Sequence, residues 1–270
     1  MEEIDGRKGR IGRRPHGGRE IPIPDPLSPD TPKDRVLRWL AEGEIRPLGV
    51  VPWGSNYTFL AAVYHDAVAG LAIYKPQRGE QPLWDFPEGT LCYREVAAYV
   101  VSEALGWGLV PPTVLREHGP YGRGALQLFI DADPDAHYFT FRDEPPLQPT
   151  LMRLAVFDLI ANNADRKAGH CLRDRNGRVW AIDHGICFHA EPKLRTVIWA
   201  YQGQPIPEDI VAEVRAFYER LRGDAALRAE LDRLLSAEEM RALERRTADV
   251  LVHPVFPRPG PWRAVPWPMI

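Results

Sequence analysis

Cysteine is scarce in this chain. The three present, Cys92, Cys171 and Cys187, form no CxxC pair and no plausible disulfide set. Buried thiols in a reducing, cytoplasmic setting are therefore expected. Long apolar runs are missing as well. Nothing approaches the roughly 18 residues that a membrane helix needs, and no signal peptide is expected at the start. There is little charge imbalance. A net charge of -3 gives no bulk positive field, so stable nucleic-acid binding is not expected. The chain holds no Walker A sequence, no HExxH and no internal repeat. What remains is 270 residues, 44% hydrophobic and 26% charged, enough for one large domain or two lobes in a monomer.

Residues 1–33 read as a Pro/Gly-rich tail with a basic run (Arg7, Lys8, Arg10, Arg13, Arg14) and almost nothing to bury. Asp30 or Thr31 can cap a helix whose first turn holds Pro32, running through RVLRWLAEGEI. Three strand-like runs follow, LGVVPWG, NYTFLAAVYH and AVAGLAIYK. A helix fits TLCYREVAAYVVSEAL, stopped by Gly106, and two more strands fit TVLREH and ALQLFID around a GPYG turn. The second half is helical. LMRLAVFDLIANN is apolar nearly all round, so it is a buried helix. PEDIVAEVRAFYERLR, DAALRAELDRLL and SAEEMRALERRTADVL follow, the last with capping-box spacing from Ser236 to Glu239. The order gives an α+β fold of two lobes. Residues 34–131 form a small antiparallel sheet with one helix, and residues 132–253 a mainly helical lobe. Residues 254–270 form a Pro/Trp-rich tail, whose Trp262 and Trp267 either pack back onto the body or stay unpacked.

Chemistry concentrates in IANNADRKAGHCLRDRNGRVWAIDHGICFH. Asn176-Gly177 between HCLRDR and RVWAID predicts a hairpin with positive φ at both turn positions. A hairpin brings together the residues just outside its two strands, here Asp165 and Asp183. Paired carboxylates repel unless a metal ion or other cation neutralises them. Phosphoryl transfer needs this layout, with one carboxylate accepting the attacking hydroxyl's proton and the other holding Mg²⁺ on nucleotide phosphates. Gly185 would supply the sharp turn after the metal ligand. Asp158 reads as a hydrogen-bonded structural carboxylate of the buried helix, and His184 and His189 read as structural.

The order Asp, hairpin, Asp-x-Gly is that of protein-kinase-like folds. Lys75 ends the strand GLAIYK and Glu95 lies on the next helix, as a phosphate-gripping lysine and its partner would. Trp53 to Tyr57 joins two strands and can turn amides onto phosphates. GSNYTF, AIYKP, the Arg94-Glu95 helix, VFDLIANNADR and AIDHG together resemble the phosphatidylinositol 3- and 4-kinase superfamily, most of all its type II 4-kinase branch, over residues 45–190. The DR-hairpin-DxG element is also similar to that of HipA-type kinases. A bacterial group of phosphoinositide-kinase-like proteins is the implied home.

The resemblance implies a bilobal atypical kinase that uses ATP with Mg²⁺ or Mn²⁺. It makes Asp165 the base, Asp183 the principal metal ligand and Lys75 with Glu95 the phosphate-binding pair. Gly54, Ser55 and Asn56 become the phosphate loop, and Gln127, Leu128, Phe129 and Ile130 the adenine-binding hinge. These kinases place an asparagine five residues after the base, where this chain has His170. Mg²⁺ prefers oxygen ligands, so His170 implies Mn²⁺, a phosphate contact or a weakened, pseudokinase-like site. The segment after DHG carries few basic residues (Lys193, Arg195), which argues against an inositol phosphate head group and leaves the acceptor a protein, lipid or small molecule.

Overall fold

The computed structural model describes residues 23–28, 31–51, 56–261 and 263–270. The basic run near the start, Asp30, the stretch 52–55 and Trp262 lie outside them. The chain divides into two compact units, Met1–Cys92 with Pro112–Ile130, and Tyr93–Pro111 with Asp131–Ile270.

The first unit starts with helix α1 (Lys33–Glu42), whose buried Val36, Trp39 and Leu40 share one face. Its N-cap is Pro32, with no side-chain cap bond, so Thr31 does not play the expected role. The helix also stops three residues short of the expected Ile45. A Cβ on Gly43 would meet Val63 Cγ1 at 2.5 Å and the Trp39 carbonyl at 2.6 Å. Glycine is what lets the strand carrying Val63 pass that close, and it ends the helix there. Glu44 and Ile45 instead open strand β1 (Glu44–Val50), earlier than the expected LGVVPWG.

Strands β2 (Phe59–His65), β3 (Val68–Pro76), β4 (Thr113–Gly119) and β5 (Gly122–Leu128) complete an antiparallel sheet of order β1-β2-β3-β5-β4. Alternate residues point to one face. Ala61, Val63, Ala72, Tyr74 and Leu126 thereby pack against Trp39 and Leu40 of α1. Each large side chain so buried contributes roughly 1.5–3 kcal/mol.

The second unit is helical apart from one ribbon. Helix α2 (Leu91–Ala104) belongs to it from Tyr93 onward, and Gly106, at φ 76°, stops it as expected. A short α3 (Tyr138–Phe141) precedes α4 (Gln148–Ala161), where Leu151, Leu154, Phe157 and Ile160 are all buried. Strands β6 (Cys171–Arg173) and β7 (Val179–Ala181) pair antiparallel. Helices α5 (Glu208–Gly223), α6 (Ala225–Asp232) and α7 (Ala237–Val252) follow. Asp224 caps α6 by accepting from the Ala226 and Leu227 amides, and Ser236 with Glu239 forms the expected capping box of α7. No helix among the described residues is long and apolar enough to cross a membrane. All three cysteines are buried and free, and burial pushes the Cys171 thiol up to about 12.

Candidate functional site

Helix α4 delivers the first carboxylate. It ends on Asn162, whose φ of 51° turns the chain sharply. The Asn162 amide donates to the His189 and Glu191 carbonyls at 2.9 and 2.7 Å, and its oxygen accepts from the Lys193 amide at 2.8 Å. Asn163, fully buried, donates to Asp158 at 3.1 Å and accepts from the Asp165 amide at 2.9 Å. Both asparagines are thus engaged in aiming the loop.

Asp165 is half-buried and meets Lys167 Nζ at 3.3 Å. Burial pushes its carboxyl above the ordinary aspartate range. Lys167 pulls it back, the charge of Asp183 adds to the upward push, and Arg195 opposes it. The two carboxylates brought together by the ribbon therefore feel one another.

A buried network lies beneath them. Arg166 is fully buried and pairs with Asp158, also fully buried, with Nη2 3.0 Å from Oδ1 and Nε 3.1 Å from both oxygens. Burial works against the Arg166 charge, but Asp158 outweighs it and holds the guanidinium protonated. Arg166 Nη1 donates to the Ile182 carbonyl at 2.9 Å and to the His170 carbonyl at 3.3 Å. Its Nη2 lies 2.7 Å from His184 Nε2, and Thr196 Oγ1 donates to Asp158 at 3.2 Å. One cation thus ties the loop of Asp165 to both ends of the ribbon. In the sequence, Arg166 reads as the ion-pair partner of Asp165 if that residue is an ordinary loop carboxylate; its partner is Asp158, and Lys167 is the cation that meets Asp165.

The ribbon tip is one residue longer than the two-residue turn expected. The Gly177 amide donates to the Asp174 carbonyl at 2.9 Å, and the Asp174 amide to the Arg178 carbonyl at 3.0 Å. This is a three-residue loop in which Gly177 alone, at φ 83°, has positive φ; Asn176 does not. Asp174 Oδ1 takes the Asn176 and Arg178 amides, and Oδ2 takes the Trp180 indole, a role that an Asn-Gly signal does not reveal. The Ile182 amide donates to the His170 carbonyl at 3.0 Å, carrying the pairing past the strands toward Asp183.

Asp183 itself takes φ 62°, and Gly185 is not among the positive-φ glycines, so the strained turn falls on the carboxylate residue. Its side chain is half exposed, at 51%. His170 Nε2 lies 3.2 Å from its Oδ2, while the Lys167 amide donates to His170 Nδ1 at 3.4 Å. That pattern puts the ring proton on Nε2, facing Asp183. Two aspartates offer hard oxygen donors of the kind Mg²⁺ takes alongside substrate phosphates. No group of three or more His, Cys, Asp or Glu side chains among the described residues forms a closed metal cage.

Glu95 is buried in α2, and its charge reaches Cys187, four residues past Asp183. Beside it, Arg94 donates to the Cys187 carbonyl at 2.7 Å and pairs with Glu239. Lys75 lies in the first unit, on β3 opposite Ala125. Asn56 accepts from the Gln81 amide at 2.7 Å, while Gly54 and Ser55 lie outside the described residues. Gln127 is spent on Thr113 at 2.8 Å. The Leu128 and Phe129 amides donate to the Pro112 and Leu71 carbonyls at 2.9 and 3.2 Å.

No family model matches the chain. It is 41% identical over 266 residues to Protein Rv2133c of Mycobacterium tuberculosis, covering 85% of this chain and 93% of that protein. It is 32% identical over 135 residues to Phosphatidylinositol 4-kinase gamma 4 of Oryza sativa, 43% of this chain and 23% of that protein. The Golgi casein kinase structure with Mn/ADP bound superimposes with a TM-score of 0.53 at 16% identity, over 84% of this chain and 76% of that one. The structure of hydra Fam20 with sugar gives 0.50 at 18% identity, over 83% and 88%. At such identities the likeness establishes the fold, an α+β kinase-like architecture.

Proposed function

Because this chain belongs to the family of the Mycobacterium tuberculosis protein Rv2133c and has a kinase-like fold, we propose that it is an ATP-dependent phosphotransferase. It moves the γ-phosphate to an acceptor hydroxyl on a protein, lipid or small molecule. The observation that carries the reading is the placing of Asp165 and Asp183 just outside the two paired strands of one ribbon, beside a buried Arg166–Asp158 pair. The branch nearest type II phosphatidylinositol 4-kinases is part of the same proposal.

In this reading Asp165 accepts the acceptor's proton. Its raised affinity for protons makes it a better base than a solvated aspartate. Lys167 screens it until the acceptor arrives. Asp183 would hold Mg²⁺ or Mn²⁺, which when bound would neutralise phosphate charge. His170 orients Asp183 through its Nε2 proton, and becomes a ligand only by giving that contact up. In the same reading Lys75 and Glu95 are assigned to the phosphates, Gly54 to Asn56 to the phosphate loop, and Gln127 to Ile130 to the adenine.

The test is metal-dependent ATP binding by calorimetry beside label transfer from γ-labelled ATP. Asp183→Asn should lose metal-dependent binding, while Asp165→Asn should keep binding and lose turnover by about 10²–10⁴-fold. A wild-type chain that binds no nucleotide with either metal would sink the reading. The His170–Asp183 contact favours a second reading, a pseudokinase that binds nucleotide without transfer. Wild-type turnover matching that of Asp165→Asn would favour it.

A further inference from the structure

Residues 254–261 and 263–270 run back along the second unit. Their first part is anchored. The Ile206 amide donates to the Pro254 carbonyl at 2.8 Å, the Gly203 amide to the Phe256 carbonyl at 2.8 Å, and the Phe256 amide to Gln204 at 2.9 Å. The Phe256 ring is buried.

The last part is held differently. The Thr196 amide donates to the Ala264 carbonyl at 3.0 Å, and the Trp199 indole reaches the same carbonyl at 3.2 Å. The Ala168 amide donates to the Met269 carbonyl at 2.7 Å. These contacts use main-chain carbonyls alone. Within 263–270 only Pro266 is buried, and Val265, Trp267, Met269 and Ile270 stay exposed, Trp267 at 76%. A segment with so little buried side chain opens at low free energy.

Its two attachment points are not arbitrary. Ala168 lies three residues beyond Asp165, and Thr196 bridges Arg166 in parallel pairing. Both are buried, so each amide needs a partner. An acceptor hydroxyl has to come within about 2.6–3.2 Å of Asp165, which shares its loop with Ala168. We infer that residues 263–270 are a displaceable strap across the Asp165 loop and the segment paired with it, covering the acceptor side until it is lifted. The effect on turnover rests on the phosphotransfer reading; the opening itself does not.

The test joins hydrogen exchange with ATP hydrolysis in the full chain, wild type against Pro266→Asp, which unseats the one buried side chain of the strap. Deletion of 263–270 serves as a second variant should the first misfold. In the wild type the Ala168 and Thr196 amides should exchange at least about tenfold faster than Leu154 in α4, through local opening. In both variants that exchange should quicken further, and Mn·ATP hydrolysis should rise about fivefold or more at unchanged ATP affinity. Exchange at Ala168 and Thr196 only at the global unfolding rate would overturn the strap. So would fast exchange in the variants with hydrolysis unchanged or lower, since the segment would then only support the loop. Absence of ATP binding in every form would sink the phosphotransfer reading instead, and the exchange comparison alone would then decide whether the strap opens.

Discussion

His170 Nε2 stands 3.2 Å from Asp183 Oδ2, with the ring proton directed at the carboxylate. The side chain five residues after Asp165 therefore acts on the proposed metal ligand itself. It occupies an oxygen that a cation needs. His170→Asn should free that oxygen and lower the Mg²⁺ concentration for half-maximal ATP binding by about tenfold. A metal titration of both forms checks this, and weaker Mg²⁺ dependence in the variant would mean that His170 supports the site.

Asp165 predicts a stability change as well as a loss of activity. Burial, with Asp183 behind it, raises its folded-state pKa above the unfolded value. The stability linked to the protonated form is then fully present below the ordinary aspartate pKa and lost as pH rises through the raised one. At neutral pH the carboxylate is ionised at a cost that an amide does not incur. Asp165→Asn should raise the melting temperature at pH 7 by about 1–4 °C, and the gain should vanish toward acid. Thermal unfolding across pH shows it, and a lower melting temperature at pH 7 would contradict it.

The pair beneath the site predicts the opposite sign. Asp158→Ala leaves Arg166 charged, fully buried and without its carboxylate, and should cost about 3–5 kcal/mol in denaturant unfolding. Replacing both partners with apolar residues should cost less than this single change. A cost under 1 kcal/mol for Asp158→Ala would mean that the network relaxes around the loss.

At the ribbon tip, Gly177 has φ 83° and open space where a Cβ would go. Gly177→Ala should therefore cost about 1 kcal/mol through backbone strain alone. Equilibrium unfolding measures it, and a neutral result would mean that the loop had changed type.

Much of this was legible in the order of residues. The α+β succession, the buried α4, the capping box at Ser236 and the ribbon between Asp165 and Asp183 follow from local periodicity and turn chemistry, which act over a few residues. Local signals failed where a distant group intervened. Helix α1 ends at Glu42 because Val63 of another strand crowds Gly43. The strained turn falls on Asp183 rather than Gly185, and Asn176 stays out of the left-handed region because Asp174 takes up its amide.

The sequence by itself determined which side chains are available and that a short ribbon folds two of them toward each other, since a turn closes over neighbours and needs nothing else. Only the tertiary structure decided which charges meet. Arg166 finds Asp158 instead of Asp165, His170 turns to Asp183, and the segment ending in Met269 lies on the Ala168 amide. Those choices are made by burial, where a polar group must find whichever partner the packed chain puts within reach, however far away it lies in sequence.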